Sequence, residues 1–546
     1  MKKSILLLLA FFSTGSIFAQ GIMGGHVTGN IQLDAQMSQK DSLIGAPDVP
    51  ESLLMNARAD ILYTNGNFEG GLRFEAYQNP LLGFDPNYTG QGIANYFVRY
   101  SGEKLTLTAG HFYEQFGSGL ILRAYEDRYL GYDNAFFGAS VNYRPLPGVV
   151  IKGLIGKQRY CWTMGNGVVR GIDGEVNLNS VISAWADKPL RITIGGGFVS
   201  KYEGDEDIFT DNGAYRLTLP LNVGAGSARL DLGYKNWGLQ VEYARKGQDP
   251  NLLNGYIYRY GEALMVNATY SQKGFSANIQ AKRVDNMGFK SQRSASDRNG
   301  ANLYVNYIPV ITKQHTYAFL TMYPYATQTA GEMGLQGDVM WKVAKDTKLH
   351  LNSSIVTSVD MTDVAGKGTK GYNSDFFGIG PLYYGDATLE VAQKLSSSVK
   401  LTATYGYQVI NPLVDGHSGD LHHNNIIVGD VTWKVNKKNV LRFEAEWLGS
   451  DSRCIDINAD DKRNGDWIMG LVEYNLGSHW FASISDQYCY NDGKGNYYNL
   501  SIGYTQGATR LQLGYGKQRE GLICIGGVCR TVPASNGLTF SLTTSF

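Results

Sequence analysis

Beyond its first twenty residues the 546-residue chain lacks long apolar runs: no later stretch approaches ~20 consecutive apolar side chains, which excludes a membrane-spanning helix there. It lacks an excess of charge of either sign, with 49 Lys+Arg against 49 Asp+Glu. Nucleic acid, which selects a basic face, is therefore not an expected partner. Pro numbers only 14, charged residues make up 18%, and no Pro-rich, Ser-rich or charge-block linker divides the chain. The five Cys give no metal-ligand spacing. Cys161, Cys454 and Cys489 fall in separate expected loops, whereas Cys524 and Cys529 flank a Gly-Gly turn in "LICIGGVCR" and are the disulfide candidate. No Ser/His/acid or paired-carboxylate arrangement stands out, so neither an enzyme nor a cofactor is expected.

What is present begins with "MKKSILLLLAFFSTGSIFAQ": two lysines, a short apolar core, then small residues. This reads as a signal peptide over 1–19, cut between Ala19 and Gln20, and implies export. No Cys follows the cut, which argues against a lipid anchor. The remainder, 20–546, reads as one domain rich in Gly (67), Tyr (36) and Phe (22).

Its pattern is period two, the signature of strands with two unlike faces. "GFSANIQAKRV" sets Phe275, Ala277, Ile279 and Ala281 against Ser276, Asn278, Gln280 and Lys282. "VLRFEAEWL" sets Leu441, Phe443, Ala445 and Trp447 against Arg442, Glu444 and Glu446. No useful length shows a 3.6-residue period, so helices are minor. Tight turns, among them Asn65-Gly66-Asn67, Lys273-Gly274, Thr312-Lys313, Lys345-Asp346 and Gln506-Gly507, alternate with long loops such as 39–51, 78–91, 113–135, 201–226, 286–298, 324–331 and 519–535. A soluble sandwich gives no reason for that alternation. A transmembrane antiparallel up-and-down β-barrel does, with short periplasmic turns, long extracellular loops and an even number of strands, here about 26, uncertain by about two. The expected location is the outer membrane, reached through the periplasm, with membrane lipid and the barrel assembly machinery as partners. The closing "GLTFSLTTSF" fits this: Leu538, Phe540, Leu542 and Phe546 would face lipid while the strand's free edge pairs with the first strand near 25–38.

A barrel this size encloses a wide lumen unless something fills it. The expected inward set is of mixed sign and includes Arg58, Asp60, Arg73, Glu75, Lys282, Arg442, Glu444 and Glu446. The third long loop, "HFYEQFGSGLILRAYEDRYLGYDNAFFG", is the candidate constriction. It is aromatic, bends at Gly117 and Gly119, and carries Glu114, Arg123, Glu126, Asp127, Arg128 and Asp133. Folded inward, it would set acids against bases across the opening; the alternative is a loop lying over the rim. Segment 201–226 is a second candidate plug. Metal signals are weak: His417, His422 and His423 share a loop, and Asp456, Asn458 and Asp460 match half of a calcium loop whose positions six and twelve are filled by Asp461 and Trp467 instead of Gly and Glu.

The stretches "FYEQFGSGLILRAYEDRYLGYDN" and "YIPVITKQHTYAFLTMYPYATQ" resemble signature segments of an uncharacterised family of Bacteroidota outer-membrane barrel proteins, and the Ala-Gln cleavage site is usual in exported proteins of that group. The resemblance spans the exported chain. It implies location and fold, and carries over no activity or site residue. Two functions remain open at this point. One is a porin-like channel or transporter passing solutes or polymer through a loop-constricted barrel. The other is a secretion or assembly component whose lumen is occupied by a periplasmic or surface protein partner.

Overall fold

The computed structural model describes residues 24–546 except 211–212, 296–301, 365–370, 416–418, 452–464, 491–494 and 526–527. The expected signal peptide, His417, Cys454 and the calcium-like stretch lie outside the described residues.

A single sheet of 24 antiparallel strands closes on itself. The strand His26–Ser38 pairs on one side with Leu54–Asn65 and on the other with the last strand, Ser535–Ser545. Beyond that ladder the Gly29 N–H donates to the Phe546 carbonyl at 2.9 Å and the Gly29 carbonyl accepts from the Phe546 N–H at 3.0 Å. No barrel strand is left with an open edge. Each neighbour follows in chain order, and the connections alternate as the turn spacing requires. The end that carries the chain termini has tight turns, such as those between Asn65 and Phe68 or Gln272 and Phe275. The other end carries the longer connections, 113–135, 203–221, 247–260 and 519–534 among them.

The two faces of each strand separate as the period predicts. On Thr163–Asn177, Ile172 is 58% exposed on the outside while Val169 and Asp173 are buried within. On His422–Lys434, Ile427 is 53% exposed while its neighbours Ile426 and Val428 are buried. Phe198, Ile279, Ile355, Ile484 and Ile502 continue this exposed apolar outer belt around the cylinder, a distribution that water penalises and hydrocarbon does not.

The count of 24 lies within the expected margin of 26 ± 2, and one stretch accounts for the difference. The Thr312-Lys313 turn does not join two barrel strands. Of chain 286–330, expected as two strands and their loops, the described residues 286–295 and 302–330 instead run inside the cylinder between Phe275–Asp285 and Gly331–Ala344. Its physical reason is legible in "YIPVITKQHTYAFLTMYPY". Pro309 and Pro324 cannot donate to a ladder inside a sheet, and the apolar residues run together instead of alternating.

The two largest apolar clusters built on this segment both lie inside the barrel. Phe289, Val305 and Ile308 of this internal segment join Phe116, Leu120, Ile121 and Leu122 of loop 113–135 against the inward Val169, Val199, Ala225, Ala244 and Val284. Phe319, Leu320 and Met322 pack on the inward Ile426, Val428, Leu448, Trp467 and Met469. The wall makes room for them. A Cβ on Gly167 would overlap the Ser291 carbonyl, and one on Gly406 would collide with Leu320. Segment 203–221 is less engaged: it forms the small ladder Phe209–Thr210 with Tyr215–Arg216 and buries Leu217 and Leu219.

The outer belt makes a signed prediction. Ile427→Arg should destabilise the folded barrel by about 2–4 kcal/mol when unfolding is followed in liposomes. The same change at a water-facing position would stay within about 0.5 kcal/mol, and that smaller result would place the belt in water.

Candidate functional site

The hairpin Leu54–Asn65/Phe68–Gln78 builds the first half of the site. Arg58 and Asp60 share the inward face of one strand, Arg73 and Glu75 that of the next. The register sets Arg58 opposite Glu75 and Asp60 opposite Arg73, so each inward cross-strand pair is of opposite charge. Arg73 Nε lies 2.6 Å from Asp60 Oδ1, and Arg58 Nε 3.2 Å from Asp60 Oδ2.

Loop 113–135 supplies the second half by folding inward across this hairpin. Glu126 pairs with Arg58 and, at 3.2 Å, with Arg73. Asp133 takes Arg73 at 3.4 Å, the Tyr113 hydroxyl at 2.9 Å and the Ala135 N–H at 3.0 Å. Arg128 reaches Asp60 at 3.4 Å and Gln32 at 3.2 Å. Of the loop's other charges, Glu114 pairs with Lys152 at 2.8 Å, Arg123 sits 4.6 Å over the Tyr125 ring, and Asp127 accepts the N–H groups of Tyr129 and Leu130.

The keystone was not expected from sequence. Arg159 bridges Glu75 and Asp133 at 2.6 Å each, with almost no exposure on any of the three side chains. It belongs to Val149–Tyr160, where the register slips between Lys157 and Arg159. That bulge lets consecutive residues, Gln158 and Arg159, both be buried. Strict alternation would have sent one of them outward, which is why period counting misses it. The lattice then holds four guanidinium groups (Arg58, Arg73, Arg128, Arg159) and four carboxylates (Asp60, Glu75, Glu126, Asp133), balanced to zero. Balance matters because an uncompensated buried charge costs several kcal/mol.

Of the remaining inward residues, Lys282 and Glu446 hold the internal segment, while Arg442 and Glu444 pair within the wall. Lys282 binds Glu332 at 2.6 Å and the Pro309 carbonyl at 2.6 Å. Glu446 accepts two successive N–H groups, from Ala318 at 2.9 Å and Phe319 at 2.8 Å. Glu444 pairs with Arg442, which also meets Asp430 at 2.9 Å. Further anchors are Arg293–Glu203 at 3.1 Å, His315–Asp386 at 2.9 Å and Gln408 on the Leu320 carbonyl at 2.9 Å. The two in-folded segments are also bonded to each other: Arg123 N–H to Val305 O at 2.9 Å, Asn306 to Leu120 O at 2.8 Å and Asn134 to Tyr304 O at 2.9 Å.

Beside the lattice lies a cavity of about 350 Å³. Its wall is the inner face of the seam, with Gln32, Asn56, Gln512 and Ser541, and its cover is formed by Phe84, Tyr129 and Arg530 from three loops. His422 and His423 join no metal-ligand cluster among the described residues, and His423 Nδ1 instead meets the Tyr407 hydroxyl at 2.7 Å. The backbone of hairpin 521–532 sets Cys524 opposite Cys529, whose side chains lie outside the described set.

Arg159→Gln should lower the stability of the folded barrel by about 3–5 kcal/mol, since it strands Glu75 and Asp133. A loss under about 1 kcal/mol, read from urea titration of the folded band on unheated gels, would mean that water solvates the lattice.

No curated protein matches the sequence. Among solved structures, the chain is similar to the ferric enterobactin receptor PfeA of Pseudomonas aeruginosa (11% identity, 95% of this chain and 81% of that one, TM-score 0.44). It is similar also to the siderophore receptor PirA of the same organism (8%, 95% and 80%, 0.40) and to OccAB3 of Acinetobacter baumannii (7%, 96% and 100%, 0.34). A family model matches residues 1–546 in full. The chain belongs to DUF6029, a family of unknown function.

Proposed function

We propose that this protein is an outer-membrane, porin-like channel or transporter, whose passage is closed at rest by loop 113–135 and segment 286–330 and opens when they shift. The observation that carries this reading is the reversal of faces: an exposed apolar belt outside and an ion-paired lumen inside, crossed by the chain's own two segments. A cylinder with lipid around it and polar groups within is suited to moving solutes across a membrane. The in-folded segments occupy space that a partner protein in the lumen would need, which favours passage over a secretion scaffold. The lattice is neutral overall, so little selection between simple cations and anions is expected.

In planar bilayers the parent chain should give small or rare conductance steps. Replacing 113–135 by a short Gly/Ser linker should raise the single-channel conductance severalfold, provided that the variant still migrates as a folded band. Gly167→Val, which forces segment 286–330 off the wall, should raise the frequency of opening. Unchanged conductance in both folded variants would overturn the reading.

A further inference from the structure

The cavity beside the ionic lattice contains one cation that the lattice does not use. Arg530, from hairpin 521–532, is 8% exposed, and its Nε and Nη1 have no hydrogen-bond partner. Among the described residues no carboxylate lies within ion-pair distance of it, whereas Arg58, Arg73, Arg128 and Arg159 each have at least one. Its guanidinium rests 4.3 Å from the centre of the Phe84 ring, which holds the plane in place and leaves its edges unsatisfied. Burial, only partly offset by the Asp127 carboxylate, pushes this group down to about 10. A desolvated, unpaired guanidinium costs stability unless something else supplies the counter-charge.

The surroundings define what that something would be. Five acids reach the cavity, and each has other partners: Glu75 and Asp133 hold Arg159, Glu126 holds Arg58 and Arg73, Asp34 holds Gln32 and Ser541, and Asp127, the one whose charge acts on Arg530 from beyond ion-pair distance, accepts the N–H groups of Tyr129 and Leu130. The opposite wall offers amides and hydroxyls, Gln36, Asn56, Gln512 and Thr539, next to the aromatic faces of Phe84 and Tyr129. Guanidinium groups match planar or tetrahedral oxyanions. Amide groups beside an aromatic face suit a hydroxylated ring. At about 350 Å³ the space is at the small end of ligand pockets and admits one ring-sized solute.

We propose that this cavity binds a small hydroxylated solute bearing one oxyanion group, carboxylate or phosphate, which pairs with Arg530. The inference rests on the channel reading only for the use made of the site; binding itself does not need it. Two features make the place apt. Glu126, Arg128 and Asp133 of the constriction loop border the same cavity, so an occupant touches the segment that closes the passage. The covering hairpin also packs directly on loop 79–89, where a Cβ on Gly83 would come within 2.9 Å of the Thr531 carbonyl.

The test is isothermal titration of the full processed chain in detergent with glucuronate, glucose 6-phosphate and glucose. Glucuronate or glucose 6-phosphate, or both, should bind at least tenfold more tightly than glucose, and whichever binds identifies the oxyanion. Arg530→Gln should weaken that binding at least tenfold while leaving the folded band and the melting temperature at or above the parent's, because an unpaired buried charge has been removed. Three results would overturn the proposal: neither anion binding better than glucose, binding unaltered in the folded Arg530→Gln variant, or a lowered melting temperature with binding retained, which would make Arg530 a packing residue. Conductance that rises without loop 113–135 while no anion binds would leave the channel reading standing and remove only the site.

Discussion

The structure depends on one constraint: backbone N–H and C=O groups set in hydrocarbon must find partners within the protein. A sheet with edges cannot meet it, so the last strand has to return to the first. The pairing of Asn30–Ser38 with Gly537–Ser545, and of Gly29 with Phe546 beyond it, is where the constraint is met. This explains why the chain ends on an apolar, aromatic strand. Its outer row has hydrocarbon to lie against, and its edge is already taken.

Closure at 24 strands creates a second problem, since a cylinder of that size encloses more space than wall side chains can fill. The chain answers with two of its own connections. Loop 113–135 and segment 286–330 are held by apolar packing at their centres and by charge at their borders. The inward face of the wall is consequently unlike that of a water-filled pore: Val169, Ala225, Ala244 and Val284 interrupt it where the internal segments press, and Lys282 and Glu446 mark where their backbone is bonded. The charged groups of the lattice are retained there because they are paired, whereas the buried Arg530 has no carboxylate within ion-pair distance among the described residues.

The sequence carried the cylinder plainly and its contents poorly. Alternation in stretches such as 275–285 and 440–450 follows directly from the two solvents that a wall strand faces, and the rhythm of short and long connections follows from both chain ends lying at one end of the barrel. The described part of segment 286–330 obeys neither rule because its apolar residues, Phe289, Val305, Phe319 and Leu320 among them, are buried against protein and not set between two solvents. A residue packed all round has no period to display, and Pro309 and Pro324 were the one local sign that its strand-like composition was not a strand. The charges were legible as inward in Arg58, Asp60, Arg73 and Glu75, whose spacing on one hairpin also fixes their pairing. Arg159 was hidden by a bulge, and the cavity beside Arg530 by its dependence on three loops distant in sequence.

The most direct test of the account is a scan of single spin labels along 275–285 in the barrel reconstituted into bilayers, reading relaxation by dissolved oxygen and by a water-soluble nickel chelate. The account predicts high oxygen accessibility at 277, 279 and 281, with low values at 278, 280 and 282 and little nickel access at the outward positions. Nickel access at 277, 279 and 281 equal to that of an exposed loop, or no alternation along the strand, would contradict it.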